Sequence, residues 1–93
     1  MSVAQVSTIA GNLTDPPSEE MAKRAAAIKA IDGCEHVYGL RNSAGGPGLG
    51  ILIWRDRAAM EAAATQMAEN RAEMKDLGVT ITTDAVYDLF TEL

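Results

Sequence analysis

The stretch GGPGLGILIWRD, residues 45–56, decides the fold, because it joins a glycine-rich turn to an apolar run. Its glycines do not have the context of a phosphate-binding loop. Ile51 and Leu52 stand where such a loop places its lysine and its serine or threonine. The stretch also lies between two predicted strands, so no helix N-terminus would face a phosphate. It therefore predicts a hairpin loop that leads into a buried strand over residues 49–54.

The flanking sequence predicts the order β-α-β-β-α-β. The expected strands cover residues 3–10, 34–42, 49–54 and 79–93, the last with an interruption near Asp84. The first helix is expected to end near Asp32, and the second to span residues 57–77. The apolar stripe of this second helix contains Met60, Ala64, Met67, Met74 and Leu77. The order predicts an α+β, ferredoxin-like protomer, in which a four-stranded antiparallel sheet carries both helices on one face.

Composition limits the classes of partner. The chain has 93 residues, and residues 1–93 are expected to form a single domain. A net charge of −5 with scattered basic residues argues against nucleic acid and against anionic membrane surfaces. Neither a signal-peptide pattern nor an apolar segment near the ~20 residues of a membrane span is present, so a cytoplasmic location is expected. A single cysteine, Cys34, excludes an internal disulfide.

Apolar residues point to both faces of the predicted sheet. The strand over residues 49–54 is apolar except at Gly50, and the first strand has Val3 and Ile9 on one parity and Val6 on the other. An antiparallel sheet usually leaves one face polar and in water. Because the helices can cover only one face, the other is expected to pack on the same face of a second copy. The sequence therefore predicts a homodimer through the open sheet face.

The chain resembles the antibiotic biosynthesis monooxygenase-like family of dimeric α/β barrels in three stretches, DGCEHVYGLRN (32–42), GLGILIWRDRAAMEA (48–62) and AVYDLF (85–90). The resemblance is one of pattern over nearly the whole chain. It implies a barrel formed by the sheets of two protomers, with ligands in a cleft between sheet and helices. Members include cofactor-free oxygenases of aromatic polyketides, haem-degrading enzymes and quinol-oxidising enzymes. The helix over residues 57–77 lacks the histidine that binds haem iron in the haem-degrading members, so no cofactor is expected.

Five side chains are candidates for a site. His36 is the only histidine and could act as a general base on a phenolic or enolic substrate; the alternative is a purely structural strand residue. Tyr38 has the same strand parity, so the pair is expected on one face, about 7 Å apart. Trp54 could stack on a flat substrate or anchor the core. Tyr87 could bind a substrate oxygen, and Asn12 could orient a carbonyl or form a turn.

The run Cys34, Glu35 and His36 is not expected to bind a metal, because consecutive residues of a strand point to opposite faces. The leading hypothesis, which depends on the resemblance, is a cofactor-independent monooxygenase of a small aromatic or quinone-like compound. The alternative is a non-catalytic small-molecule-binding or structural homodimer of the same fold. The two differ in whether His36 or a tyrosine points into a pocket.

Overall fold

The structure, a computed structural model, describes residues 1–11, 13 and 18–92. Its elements are β1 (Val3–Gly11), α1 (Glu19–Lys29), β2 (Cys34–Leu40), β3 (Gly48–Trp54), α2 (Arg57–Ala62), α3 (Ala64–Asp76) and β4 (Val79–Asp88). The predicted order is confirmed, with corrections to two elements. The last strand, predicted to reach residue 93, ends at Asp88. The second helix is interrupted. Ala63, at ψ 0°, interrupts the helical backbone and divides this helix into α2 and α3.

The four strands form one antiparallel sheet in the order β2-β3-β1-β4. The helices pack on one face of it, α1 against β2, α2 against β3 and α3 against β4. The core between this face and the helices contains Val3, Ile28, Cys34, Leu52, Trp54, Ala63 and Met67. This is the ferredoxin-like arrangement that the element order predicts.

The strand register assigns each side chain to a face of the sheet. Val3 lies opposite Trp54, and Gln5 lies opposite Leu52, so these four side chains share the helix-covered face. Their sequence neighbours point to the other side, because side chains alternate along a strand. We call this second side the open face.

A bulge in β4 changes the alternation. Val6 pairs with Ala85 and Ser7 pairs with Thr83, which leaves Asp84 as the extra residue on β4. The predicted interruption near Asp84 is therefore confirmed. Because of the bulge, Thr83 and Val86 both face the helices, while Tyr87 lies on the open face opposite Ala4.

The glycine-rich stretch is a hairpin loop, as predicted. Residues 41–47 connect β2 to β3, and Gly45 and Gly46 have φ values of 92° and 90°. Residues with side chains rarely adopt this left-handed backbone, which explains the use of glycine there. After β3, Asp56 caps α2 by accepting a hydrogen bond from the Ala59 amide at 2.8 Å.

Candidate functional site

A cleft of about 520 Å³ lies between the helix-covered face of the sheet and α2–α3. Its walls come from β1, β4 and the two helices, and the lining residues are Gln5, Met60, Glu61, Ala64, Met67, Arg71, Ile81, Thr82, Thr83 and Val86. The resemblance implied a ligand cleft in this position. Its volume falls within the range of small-molecule sites, about 300–1,000 Å³.

The helical wall of the cleft is a single stripe of side chains. Met60, Ala64, Met67 and Arg71 follow one another at intervals of four, three and four residues, which places them on one helix face. The break at Ala63 leaves this alignment intact, since all four line the cleft. Two flexible, polarisable thioethers thus form an apolar wall that adapts to different ligand shapes.

The sheet contributes an amide held in place at both ends. Trp54 Nε1 donates a hydrogen bond to Gln5 Oε1 at 3.0 Å, and Gln5 Nε2 donates one to Thr83 Oγ1 at 3.3 Å. The Thr83 hydroxyl also lies 3.3 Å from the Ser7 hydroxyl. Because an amide nitrogen carries two hydrogens, Gln5 keeps one donor for a ligand oxygen.

The charges of the cleft lie far apart. Glu61 is exposed, Arg71 is half-buried, and ten residues separate them on α2–α3. A helix rises about 1.5 Å per residue, so the backbone positions of the two residues are roughly 15 Å apart along α2–α3. The cleft therefore has a carboxylate near one end and a guanidinium near the other.

Trp54 lies in the core rather than in an open site. Its side chain exposes none of its surface, and the indole N–H bonds Gln5. This position agrees with the interpretation of Trp54 as an anchor of the strand end, and it connects the ring to the cleft only through the Gln5 amide. Asn12, the other residue proposed to orient a substrate, lies outside the described residues.

His36 and Tyr38 lie on the open face, on the opposite side of the sheet from the cleft. His36 is opposite Ile53 and Tyr38 is opposite Ile51. Their rings stack, with centroids 5.7 Å apart and planes 18° apart, so the prediction that they share a face is confirmed. Tyr87 belongs to the same cross-strand row, since Ile53 pairs with Ala4, which pairs with Tyr87. The structure thus groups these three rings on one face and separates them from Trp54.

The open face is strongly apolar. Four of its large side chains keep between 40% and 59% of their surface exposed, namely Tyr38, Leu40, Leu49 and Tyr87. Ile51 and Ile53 lie between them in the sheet and are half-buried. A contiguous apolar surface of this kind is typical of an interaction site.

The side chains of Cys34, Glu35 and His36 diverge. Cys34 is buried in the core, where its thiol donates to the His36 carbonyl oxygen at 3.8 Å, and burial raises the pKa of that thiol. Glu35 accepts a hydrogen bond from the Ser2 hydroxyl at 2.8 Å. Within the described ranges, no three His, Cys, Asp or Glu side chains are grouped so that they could hold a metal ion.

Comparison with solved structures identifies the fold. A variant of SnoaB, a cofactor-independent oxygenase from Streptomyces nogalater, superposes with a TM-score of 0.74 over 99% of this chain and 96% of its own, at 16% identity. Rv0793 from Mycobacterium tuberculosis gives a TM-score of 0.67 at 20% identity, covering 99% of this chain and 98% of its own. A proposed antibiotic biosynthesis monooxygenase from Deinococcus radiodurans gives 0.64 at 18% identity, covering 100% and 96%. The chain has the antibiotic biosynthesis monooxygenase-like fold.

At these identities the likeness establishes the monooxygenase-like fold, and the activity has to be argued from the site. No protein-family model matches the sequence, and comparison with curated protein sequences also gives no match. Among the described helices, none is long and apolar enough to cross a membrane.

Sequence reasoning missed the polar residues of the cleft. Arg71 follows Met67 by four residues and therefore continues the apolar stripe predicted for the second helix. A charged residue on an otherwise apolar helix stripe is a signal by which Arg71 could have been identified as a candidate site residue. Gln5 gave a similar signal, since it has the same parity as Val3 in a strand rich in apolar residues.

Proposed function

We propose that this chain is a cofactor-independent oxygenase of a small aromatic or quinone-like compound, which it binds in the cleft between the sheet and α2–α3. The observation that carries the proposal is the cleft, with a volume of about 520 Å³, an apolar helical wall and one fixed amide. The side chains that would contact a planar ring are Met60 and Met67 of the helices and Val86 of β4, which all line the cleft. SnoaB, which has the same fold, is a cofactor-independent oxygenase.

The chemistry requires a substrate that supplies the electrons. A phenol such as 1-naphthol meets this requirement, since 1-naphthol and O₂ together have the atoms of 1,4-naphthoquinone and water. The ring is oxidised, one oxygen atom enters the product as the new carbonyl, and the other leaves as water. The protein binds the ring, removes the phenolic proton and shields the carbanion-like ring from bulk water.

Two cleft residues have roles in this reaction. Gln5 Nε2 donates its second hydrogen to the substrate oxygen, and Trp54 positions that amide through its hydrogen bond to Oε1. Glu61 accepts the phenolic proton, because it has the one carboxylate among the described residues of the lining. Trp54 acts here as a positioning residue.

His36, Tyr38 and Tyr87 belong to a second part of the proposal, a homodimer joined through the open faces. The exposed tyrosines and leucines of this face support it, as does the position of Ile51 and Ile53 at its centre. Packing two such sheets face to face would remove these side chains from water. In this arrangement His36 and Tyr38 contribute to the contact between protomers, and they could act as base and hydrogen-bond donor only for a molecule bound on that face.

A second candidate is a non-catalytic homodimer that binds small molecules. The position of His36 favours it, because the side chain best suited to proton transfer near neutral pH lies away from the cleft. Turnover separates the two candidates, since only the oxygenase consumes O₂ when a phenol is bound.

The test combines calorimetric titration of 1-naphthol with measurement of O₂ uptake. Ala64→Trp fills the cleft, whereas Thr65→Trp adds the same side chain at the next, exposed position of α3, outside the lining of the cleft, and serves as the control. We expect binding and O₂ uptake in the wild type and in Thr65→Trp, and loss of both in Ala64→Trp. Glu61→Gln is expected to retain binding and to lower O₂ uptake by roughly 10²-fold or more.

Three results would contradict the proposal in different ways. Binding that survives Ala64→Trp would place the ligand elsewhere. Binding without O₂ uptake, across hydroxylated naphthalenes and anthraquinones, would leave the non-catalytic candidate. Unchanged O₂ uptake in Glu61→Gln would remove Glu61 as the proton acceptor.

A further inference from the structure

Arg71 has no acidic partner within the described part of the chain. Three other arginines do: Arg24 pairs with Glu73, Arg55 with Asp32 and Asp56, and Arg57 with Asp88. The protein has 13 acidic residues against eight basic ones, so carboxylates are abundant. An arginine that is half-buried and yet unpaired in such a chain is unusual, since a cation taken partly out of water is stabilised by an anion.

The surroundings of Arg71 are those of a ligand site. Arg71 lines the cleft one helical turn beyond Met67, and Ile81, Thr82 and Thr83 of β4 also line it. Another cavity among the described residues, of about 500 Å³, differs in this respect, because its arginine, Arg55, is already paired with aspartates. The cleft thus presents five guanidinium N–H donors beside an apolar wall, with the carboxylate of Glu61 at the far end.

We infer that the ligand of the cleft is an aromatic compound that carries an anionic group in addition to the phenolic hydroxyl whose proton Glu61 accepts, and that Arg71 binds this anionic group. This inference depends on the proposed function for the location of the ligand and adds its charge and orientation. The anionic group lies at Arg71, and the ring system extends along Met67 and Met60, so that the phenolic hydroxyl lies at the opposite end, towards Glu61. Repulsion from Glu61 disfavours the reverse orientation, so Arg71 also determines which end of the ligand is presented to Gln5.

The test compares an anion with a neutral ligand of the same shape. The probes are 2-naphthoate and 2-naphthamide, titrated calorimetrically at low ionic strength into the wild type, Arg71→Gln and Lys75→Gln. Lys75 is exposed on the same helix and is not a lining residue, so Lys75→Gln makes the same change in net charge outside the lining of the cleft. We expect Arg71→Gln to weaken 2-naphthoate binding about tenfold or more, and to leave 2-naphthamide and the Lys75→Gln titrations unchanged.

Two further arms distinguish a carboxylate from a phenolate. Arg71→Lys keeps the charge but loses the planar fork that binds both oxygens of a carboxylate. It is therefore expected to weaken 2-naphthoate binding and to retain binding of a nitronaphthol that is ionised at neutral pH. Thermal unfolding of each variant checks that the fold is intact.

The possible failures are distinct. In the first case, 2-naphthamide binds to the wild type, and Ala64→Trp abolishes that binding, so the cleft remains the binding site. If, in addition, 2-naphthoate binds no more tightly than 2-naphthamide, or Arg71→Gln leaves its binding unchanged, the inference about Arg71 is wrong. If neither probe nor 1-naphthol binds the wild type, the inference and the proposed function both fail.

Discussion

Replacing Gln5 by leucine is expected to destabilise the protein, because it leaves the indole N–H of Trp54 without an acceptor. That N–H lies 3.0 Å from Gln5 Oε1, on a side chain with none of its surface exposed. A buried donor that loses its partner costs about 1–3 kcal/mol. The second bond of Gln5, to Thr83, is exposed and contributes less. For a domain of this size, each kcal/mol lowers the Tm by about 4–8 °C.

A double-mutant cycle with Trp54→Phe isolates this hydrogen bond. Urea unfolding is followed by circular dichroism, since Trp54 is the only tryptophan and its fluorescence disappears in the second variant. The protein concentration is held constant, because the apparent stability of the proposed homodimer depends on it. Gln5→Leu is expected to cost at least about 1 kcal/mol less in the Trp54→Phe background than in the wild type. Equal costs in both backgrounds would refute the reasoning.

Three other predictions concern the fold, the thiol and the dimer. Gly11→Ala should lower the free energy of unfolding, measured in urea, by more than about 1 kcal/mol. The reason is that Gly11 has a φ of 118° and that a Cβ atom there would collide with the Gly78 carbonyl oxygen. A smaller loss of stability would contradict this prediction. Burial raises the pKa of the Cys34 thiol, so at pH 9 iodoacetamide should alkylate the folded protein much more slowly than the urea-unfolded one. For the same reason, the free energy of unfolding should decline as the pH rises from the ordinary thiol pKa through the raised one. Equal alkylation rates in the folded and unfolded protein would contradict this prediction. Ile51→Lys on the open face should raise the dissociation constant of the proposed dimer by at least about 100-fold in analytical ultracentrifugation. Thr65→Lys, at an exposed position of α3, should leave it unchanged. A wild type that is monomeric at high concentration would exclude the dimer.

The fold was largely predictable because its signals are local. The run over residues 49–54 and the glycines before it indicate a hairpin, and the alternation around His36 and Tyr38 predicts that their rings share a face. Alternation defines faces only relative to one another, however. The sequence does not show which of the two faces the helices cover. In the structure Gln5 pairs with Leu52 on the helix-covered face, and His36 pairs with Ile53 on the open face. These pairings exist only in the assembled sheet.

The cleft was harder to predict than the fold. The apolar stripe of the second helix was recognised by its hydrophobic members, and Arg71 was omitted although it continues the same spacing. The helix break at Ala63 lies within a run of alanines, and no glycine or proline at this position indicates a break in the sequence. Leu77, assigned to the stripe, lies beyond the end of α3 and is exposed. The anchoring of Gln5 by Trp54 joins residues 49 positions apart, and no local pattern reveals it.

The most direct measurement is a map of amide chemical-shift changes in the ¹⁵N-labelled protein as 1-naphthol is added. The central claim is that small aromatic compounds bind between the sheet and α2–α3, on the helix-covered side. We expect the largest changes at Gln5, Ala64, Met67 and Thr83, with weaker effects elsewhere. Changes confined to the opposite side of the sheet, at His36 and its neighbours, would contradict the claim and place the site on the open face.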